Sequence, residues 1–198
     1  MQNLFSEGLI GLELEEIAER VRSCTRCGLA QGRTNAVPGE GDSNADLVFI
    51  GEGPGREEDK QGRPFVGRAG QKLDEIMDSV SLSRDEVFIT NVVKCRPPEN
   101  RNPRAAEIST CFPYLEAQIA AINPELIVTL GNSSTKFLLD TEEGITSIRG
   151  QLYDWRGGIQ IFPMFHPSYL LRNPSKEKGS PKHKTWKDIQ KVQEIVHS

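Results

Sequence analysis

Four cysteines, and a set of amide, imidazole and carboxylate side chains at predicted loop positions, are the groups in this sequence with chemistry to offer. The cysteines fall as Cys24-Thr-Arg-Cys27, then Cys95, then Cys111. One CxxC pair with two distant cysteines can bind either tetrahedral zinc or a 4Fe-4S cluster, since both accept four thiolates. Zinc ribbons usually pair two CxxC knuckles and the second is absent here, but spacing alone leaves both metals open. A redox-active CxxC fits poorly, because no thioredoxin-like βαβ pattern surrounds Cys24. The N-terminus has no basic stretch and no cleavage site, so reduced thiols or metal ligands are expected in place of disulfides.

The remaining groups sit just after four short apolar runs. Gly51-Glu52-Gly53-Pro54-Gly55, with Glu58 just beyond, closes the first run, and Asn91, Lys94 and Cys95 close the second. Gly131, Asn132 and Ser134 come after the third, and His166, Ser168, Leu170, Leu171 and Arg172 after the fourth. Each has an ordinary structural reading. The glycine loop lacks both the Lys-Ser/Thr of a Walker motif and the GxGxxG spacing, so taken alone it is a strand-to-helix turn. His166 before a proline suits a structural histidine, Asn91 a loop cap, and Phe65 the core. At four consecutive strand ends, however, these groups make up the few oriented polar side chains that a ligand pocket requires.

The elements that must position them are legible as periodicity. Residues 46–51, 87–93, 126–130 and 159–165 read as buried strands. Residues 12–22, 69–80 and 105–122 read as helices, and residues 151–155 as the first arm of a hairpin. Strands alternating with helices imply an α/β three-layer sandwich, a parallel sheet covered on both faces. Ligands of such sheets bind beyond the carboxyl ends of the strands, where the polar groups gather. A chain of 198 residues suits one domain, 1–198, with the first helix leading into the cysteine pair.

Charge permits a nucleic-acid partner without demanding one. The net charge is −4, which taken alone argues weakly against nucleic acid, but its distribution is uneven. Acid concentrates at Glu13, Glu15, Glu16 and Glu19. Lys94, Arg96, Arg101 and Arg104 form one basic set, and Arg172, Lys176, Lys178, Lys182, Lys184 and Lys187 form another. No apolar run approaches the ~20 residues needed to cross a bilayer, so a soluble, cytoplasmic protein with no membrane partner is expected.

Taken together, CTRC (24–27), TNAVPGEG (34–41), GEGPGREED (51–59), GRPFVGRAG (62–70), TNVVKCRPPENRNP (90–103), Cys111 and HPSYLLRN (166–173) resemble the family 4 uracil-DNA glycosylases. These are the iron–sulfur branch of the uracil-DNA glycosylase superfamily, and the resemblance runs over nearly the whole chain. It implies a four-stranded parallel sheet between helices and a 4Fe-4S cluster on Cys24, Cys27, Cys95 and Cys111. It also implies removal of uracil from single- or double-stranded DNA by a monomer that starts base excision repair. Repair proteins or a replication clamp are compatible partners, although no residue identifies one.

The resemblance also assigns roles. Phe65 stacks on the flipped base, the Asn91 amide reads its edge, and His166 donates to O2. Backbone N–H groups of Glu52 and Gly53 hold the anionic side, while Glu58 lies near C5 and a water. A backbone hydrogen bond is expected to fix the Asn91 amide. Where the best-known uracil glycosylases carry an aspartate two residues beyond the motif's first glycine, this chain has Gly53, so a dedicated carboxylate base is not assured. Glu52 and Glu58 are left to position water. Ser134 and Ser168, with Arg101 or Lys94, are expected at phosphates, Leu170 or Leu171 as the wedge, and Arg172 with them at DNA. The lysine-rich residues 174–184 read equally well as an added DNA arm or a solvated insertion. Two other classes fit the same framework. A tight or covalent uracil binder is associated with a histidine-bearing insertion after the second strand, which VVKCRPPENRNP lacks. A non-catalytic DNA-binding module has no need of Asn91, Phe65 and His166 together.

Overall fold

A computed structural model describes residues 8–196; the outermost residues of the expected 1–198 domain lie outside the described residues. Its strands are β1 (Glu40–Gly41), β2 (Leu47–Gly51), β3 (Phe88–Asn91), β4 (Leu126–Leu130), β5 (Tyr153–Asp154) and β6 (Gln160–Met164). They form one sheet in the order β1-β3-β2-β4-β6-β5. The neighbours β3-β2, β2-β4 and β4-β6 are parallel, and β1 and β5 add antiparallel to the two flanks.

The four expected parallel strands are therefore present, but the sheet has six. The unexpected edge strand is two residues long and built on glycine, so it has no apolar alternation to betray it. A Cβ on Gly41, whose φ is +128°, would run into the Val87 carbonyl. Only glycine lets β1 lie this close to its neighbour. The hairpin arm expected over 151–155 is β5, shortened to Tyr153–Asp154.

The central strands are apolar throughout because both faces of the sheet are covered. All five residues of β2 are buried. Val48 and Ile50 join one core with Ile17 and Val21 of α1 (Leu14–Arg22) and Leu115 and Ile119 of α5 (Ala105–Ile122). Leu47 and Phe49 join a second core with Leu73 and Met77 of α4 (Arg68–Asp78) and Ile189 and Val192 of α9 (Pro181–Val196). The short helices α2 (Leu29–Gly32), α3 (Arg56–Gln61), α6 (Asn132–Leu139), α7 (Ile145–Ile148) and α8 (Pro167–Arg172) complete the set. Three of them, α3, α6 and α8, start just beyond the carboxyl ends of β2, β4 and β6, so polar side chains are presented there by helix first turns as well as by loops. Among the described residues no helix is long and apolar enough to cross a membrane.

The late lysine-rich stretch is a loop only in part. Lys176 and Lys178 precede α9, whereas Lys182, Lys184 and Lys187 lie on it. The helix buries Thr185, Asp188, Ile189 and Val192, a spacing that turns one face inward. Arg149 forms an ion pair with the fully buried Asp188, which fastens the helix to the rest of the molecule.

Candidate active site

The four parallel strand ends open into one cleft of about 560 Å³, within the size range of small-molecule sites. Glu52, Gly53, Glu58, Phe65, Asn91, Arg101, His166, Ser168 and Arg172 all line it, so most of the residues singled out in the sequence come together.

Phe65 is held from behind in a conformation that few bulky residues adopt. Its φ is +50°, in the left-handed region that costs a side chain with a Cβ roughly 1–2 kcal/mol. Two features offset this. The Arg84 guanidinium donates to the carbonyls of Pro64 and Phe65 while pairing with Glu40 and Asp74. Gly70 leaves room for the Phe65 carbonyl, which a Cβ there would strike. The ring then lies 5.8 Å from the His166 ring, tilted by 33°.

Asn91 ends β3 with its side chain beside Gly51. A Cβ on Gly51 would overlap the Asn91 Oδ1 atom and approach the Phe65 ring to 2.6 Å, so glycine here is what allows both side chains into the cleft. The expected backbone bond to the amide is not present; among the described residues the Asn91 side chain makes no hydrogen bond. No buried side-chain oxygen or nitrogen among them lacks a partner, so this amide opens onto the cleft and is confined by packing. The Asn91 backbone carbonyl, by contrast, accepts from Lys94 Nζ at 2.8 Å. That corrects the expectation for Lys94, which is 1% exposed and also donates to Thr90 Oγ1 and Gln118 Oε1. A buried amine with three acceptors, its pKa pushed down to about 7 by burial, is a structural clasp and cannot meet a phosphate.

His166 caps α8. Its Nδ1 accepts from the Ser168 N–H at 3.1 Å and stands 2.8 Å from the Ser168 hydroxyl. An acceptor at Nδ1 puts the ring proton on Nε2, which leaves one N–H for the cleft. Burial pushes the imidazole down to about 4, with Arg172 acting in the same direction and Glu58 against it, so the ring is neutral at pH 7. Gly131, at φ +93°, allows the close approach; a Cβ there would sit 2.8 Å from that of His166.

The buried Glu58 is partly committed. Its Oε1 accepts from the N–H groups of Val66 and Gly67 at 3.0 and 2.9 Å, which ties α3 to the turn carrying Phe65. Glu52 lines the cleft and accepts at its carbonyl from Val93 N–H.

Several expected DNA contacts are corrected. Ser134 is fully buried, with its hydroxyl on the Leu130 carbonyl at 3.2 Å, so it is not available to a phosphate. Ser133 lines the cleft in its place. The serine pair was visible in the sequence, but which member points outward depends on the phase of α6, which buries Ser134 with Leu138 one turn on. Leu170 is 2% exposed and packs inward, so it is not available as a wedge, whereas Leu171 is half-buried. Arg101 reaches the cleft but pairs with Glu107 through both terminal nitrogens, at 2.8 and 2.6 Å. Arg172 is exposed at the rim.

Away from the cleft, Cys24, Cys27, Cys95 and Cys111 line one small cavity with Val21, Lys94 and Tyr114. They come from the end of α1, the loop after β3, and α5. Two donors address the sulfurs: Arg33 Nη1 reaches Cys95 at 2.9 Å, and the Lys94 backbone N–H reaches Cys111 at 3.3 Å. Burial pushes the Cys111 thiol up to about 12 and Cys95 in the same direction. Thiolates at these two positions therefore require positive charge beside them, which a metal centre provides. Among the described residues no three His, Cys, Asp or Glu side chains are grouped to hold one metal ion. The donor set fits a group that receives thiolates from several sides.

Residues 38–190 match the family described as the uracil DNA glycosylase superfamily. A type-4 uracil-DNA glycosylase of Thermotoga maritima is 52% identical over 83% of this chain and 86% of its own length. Type-4 enzymes of Sulfurisphaera tokodaii and Saccharolobus solfataricus are 48% and 46% identical, over 92% and 93% of this chain and 84% and 87% of theirs. A matching superfamily domain and relatives this similar over most of both chains mean that this protein belongs to the uracil-DNA glycosylase superfamily, in its type-4 family.

Proposed function

We propose that the cleft hydrolyses the N-glycosidic bond of deoxyuridine in DNA and releases free uracil. The observation that carries this is the convergence of the Phe65 ring, the open Asn91 amide and a neutral His166 whose proton is assigned to Nε2. Breaking the bond between N1 and C1′ leaves negative charge on the base and positive charge on the sugar. The rate then depends on donors aimed where the anion grows. The base is flipped into the cleft and stacks on Phe65. Asn91 donates to O4 and accepts from N3–H. His166 Nε2–H donates to O2, and the backbone at Glu52 and Gly53 supports the same side. Water adds at C1′ and gives up its proton to solvent or to a carboxylate of Glu52 or Glu58; no aspartate stands at Gly53 to take it.

Cys24, Cys27, Cys95 and Cys111 would hold a 4Fe-4S cluster, which when bound supplies iron–thiolate bonds that tie α1 to the β3 loop and α5. The chain's own contribution there is four thiolates, with Arg33 and the Lys94 N–H donating to two of them. DNA phosphates meet Ser133, Ser168 and Arg172 at the rim, and Leu171 fills the space left by the flipped base. In this reading the enzyme works as a cytoplasmic monomer.

The test is single-turnover release of uracil from a synthetic oligonucleotide. His166→Ala is expected to slow release by roughly 10²–10³-fold, the size of one lost oxyanion donor, with DNA affinity nearly unchanged. His166 is expected to give the wild-type rate no inflection near 6.5; its second proton goes on only near pH 4, where a proton on Nδ1 breaks the Ser168 N–H bond that orients the ring and the rate should fall. An unchanged rate in His166→Ala, or a stable protein–DNA adduct in place of free uracil, would overturn the reading.

A further inference from the structure

We propose that the groove between α4 and α9 is a second contact surface for the same DNA strand, on the far side of α8 from the cleft. In it Trp186 stacks on an unpaired flanking base, and Lys176 and Lys182 meet phosphates. This inference rests on the glycosylase reading for its partner. It is carried by a groove of about 390 Å³ lined by Ile76, Leu170, Lys176, Lys182, His183 and Trp186.

Three observations favour nucleic acid as the occupant. The first is charge: residues 172–187 hold six cationic side chains and one acid in a chain of net charge −4. Among the described residues Lys176, Lys178, Lys182, Lys184 and Lys187 make no ion pair. The one acid lining the groove, Glu75, is paired with Lys72. The second is the indole. Trp186 is 49% exposed, one of three large hydrophobics exposed among the described residues, and the His183 ring stands 6.5 Å away. An exposed ring beside lysines is the arrangement that binds single strands, since every base has a face to stack and every nucleotide a phosphate. The third is continuity. Helix α8 separates the two sites: Ser168 and Arg172 line the cleft, and Leu170 of the same helix lines the groove. A strand whose uracil enters the cleft passes α8, and the groove receives the flanking nucleotides. Helix α9 is a firm platform for this, because Ile189 and Val192 are buried and Asp188 is paired with Arg149.

The experiment measures binding of a long, uracil-free single-stranded oligonucleotide against salt, and uracil release from a long strand and from a trinucleotide too short to reach the groove. Trp186→Ala is expected to weaken long-strand binding by about 5- to 150-fold, the range for one lost base stack, with Trp186→Phe restoring most of it. Lys176→Gln with Lys182→Gln should lower the salt slope by about 1.4, at ~0.7 for each phosphate contact on a single strand. In each variant the ratio of kcat/KM for the long strand over the trinucleotide should fall. Unchanged affinity and slope would overturn the proposal and leave the groove to a protein partner or to solvent. A lower slope with full affinity in Trp186→Ala would overturn the stacking. If the wild type releases no uracil from either substrate, the glycosylase reading fails, while affinity and slope on uracil-free DNA still decide this one.

Discussion

Uracil offers O4 as an acceptor beside N3–H as a donor, whereas cytosine offers an amino donor beside an acceptor, so one amide in one orientation can separate them. Asn91 has that amide at the end of β3, beside Gly51, where a Cβ would strike both the Asn91 Oδ1 and the Phe65 ring. Its side chain makes no hydrogen bond of its own, so the discrimination requires that the packing around it hold the amide in the one orientation that suits uracil. Sites that read polar groups in this way can reject the wrong analogue by about 10⁴–10⁵. Asn91→Asp replaces the donor with a second acceptor. It is expected to lose most uracil release and to gain weak cytosine release, measured on matched oligonucleotides in single turnover. Wild-type uracil rates in this variant would mean that Asn91 does not read the base. Residue types at this scale were readable from the sequence, since Asn91, Phe65 and His166 line the cleft as expected. The clasp of Lys94 and the support of Arg84 under Phe65 were not: the first is completed only by Gln118 of α5, and the second needs Arg84 to meet Glu40, Pro64 and Phe65 from elsewhere in the chain.

Elements decide which of two neighbouring side chains can act. Residues 167–172 look like a loop with two leucines, either of which would suit a wedge. Folded as α8, they turn Leu170 into the core and leave Leu171 toward the surface. Leu171→Ala is expected to slow uracil release from duplex DNA more than from single strands, since only the duplex must be unstacked; equal loss on both would remove the wedge. The same effect of helix phase buries Ser134 and leaves Ser133 lining the cleft. Strands with two buried faces announce themselves as apolar runs, so β2, β3, β4 and β6 were legible to within a few residues. The start and phase of a short helix leave a much weaker trace, as α6 and α8 show.

Across the whole molecule, the cysteine cavity lies at a junction of α1, the β3 loop and α5, behind the clasp that Lys94 places on Asn91. A cluster there is a staple, and its loss should reach stability before chemistry. Cys95→Ala is expected to lose the bound iron and visible colour and to unfold at a markedly lower temperature. Iron and sulfide content, absorbance and thermal unfolding check this, and a colourless wild type with one zinc per chain would count against iron. The four cysteines were visible in the sequence, but that they line one cavity is seen only in the fold, because Cys27, Cys95 and Cys111 are far apart in the chain.

The two flanks of the sheet have a consequence for how copies of the protein meet one another. An open parallel sheet ends in strands with unpaired N–H and C=O groups, a template on which another chain can add. Here β3 and β6 are each covered by an antiparallel partner only two residues long, β1 and β5. A two-residue strand offers too short a ladder to recruit a neighbour. On the β1 side Gly39 and Gly41 take positive φ and bend the chain away from a straight extension. The edges therefore act as guards against self-association. The price falls on Gly41: any larger residue would collide with the Val87 carbonyl, lift β1 away and bare the β3 edge, so an exchange at this position would be felt as clumping of the protein and, because Glu40 of the same strand pairs with the Arg84 that holds Phe65, in the cleft as well.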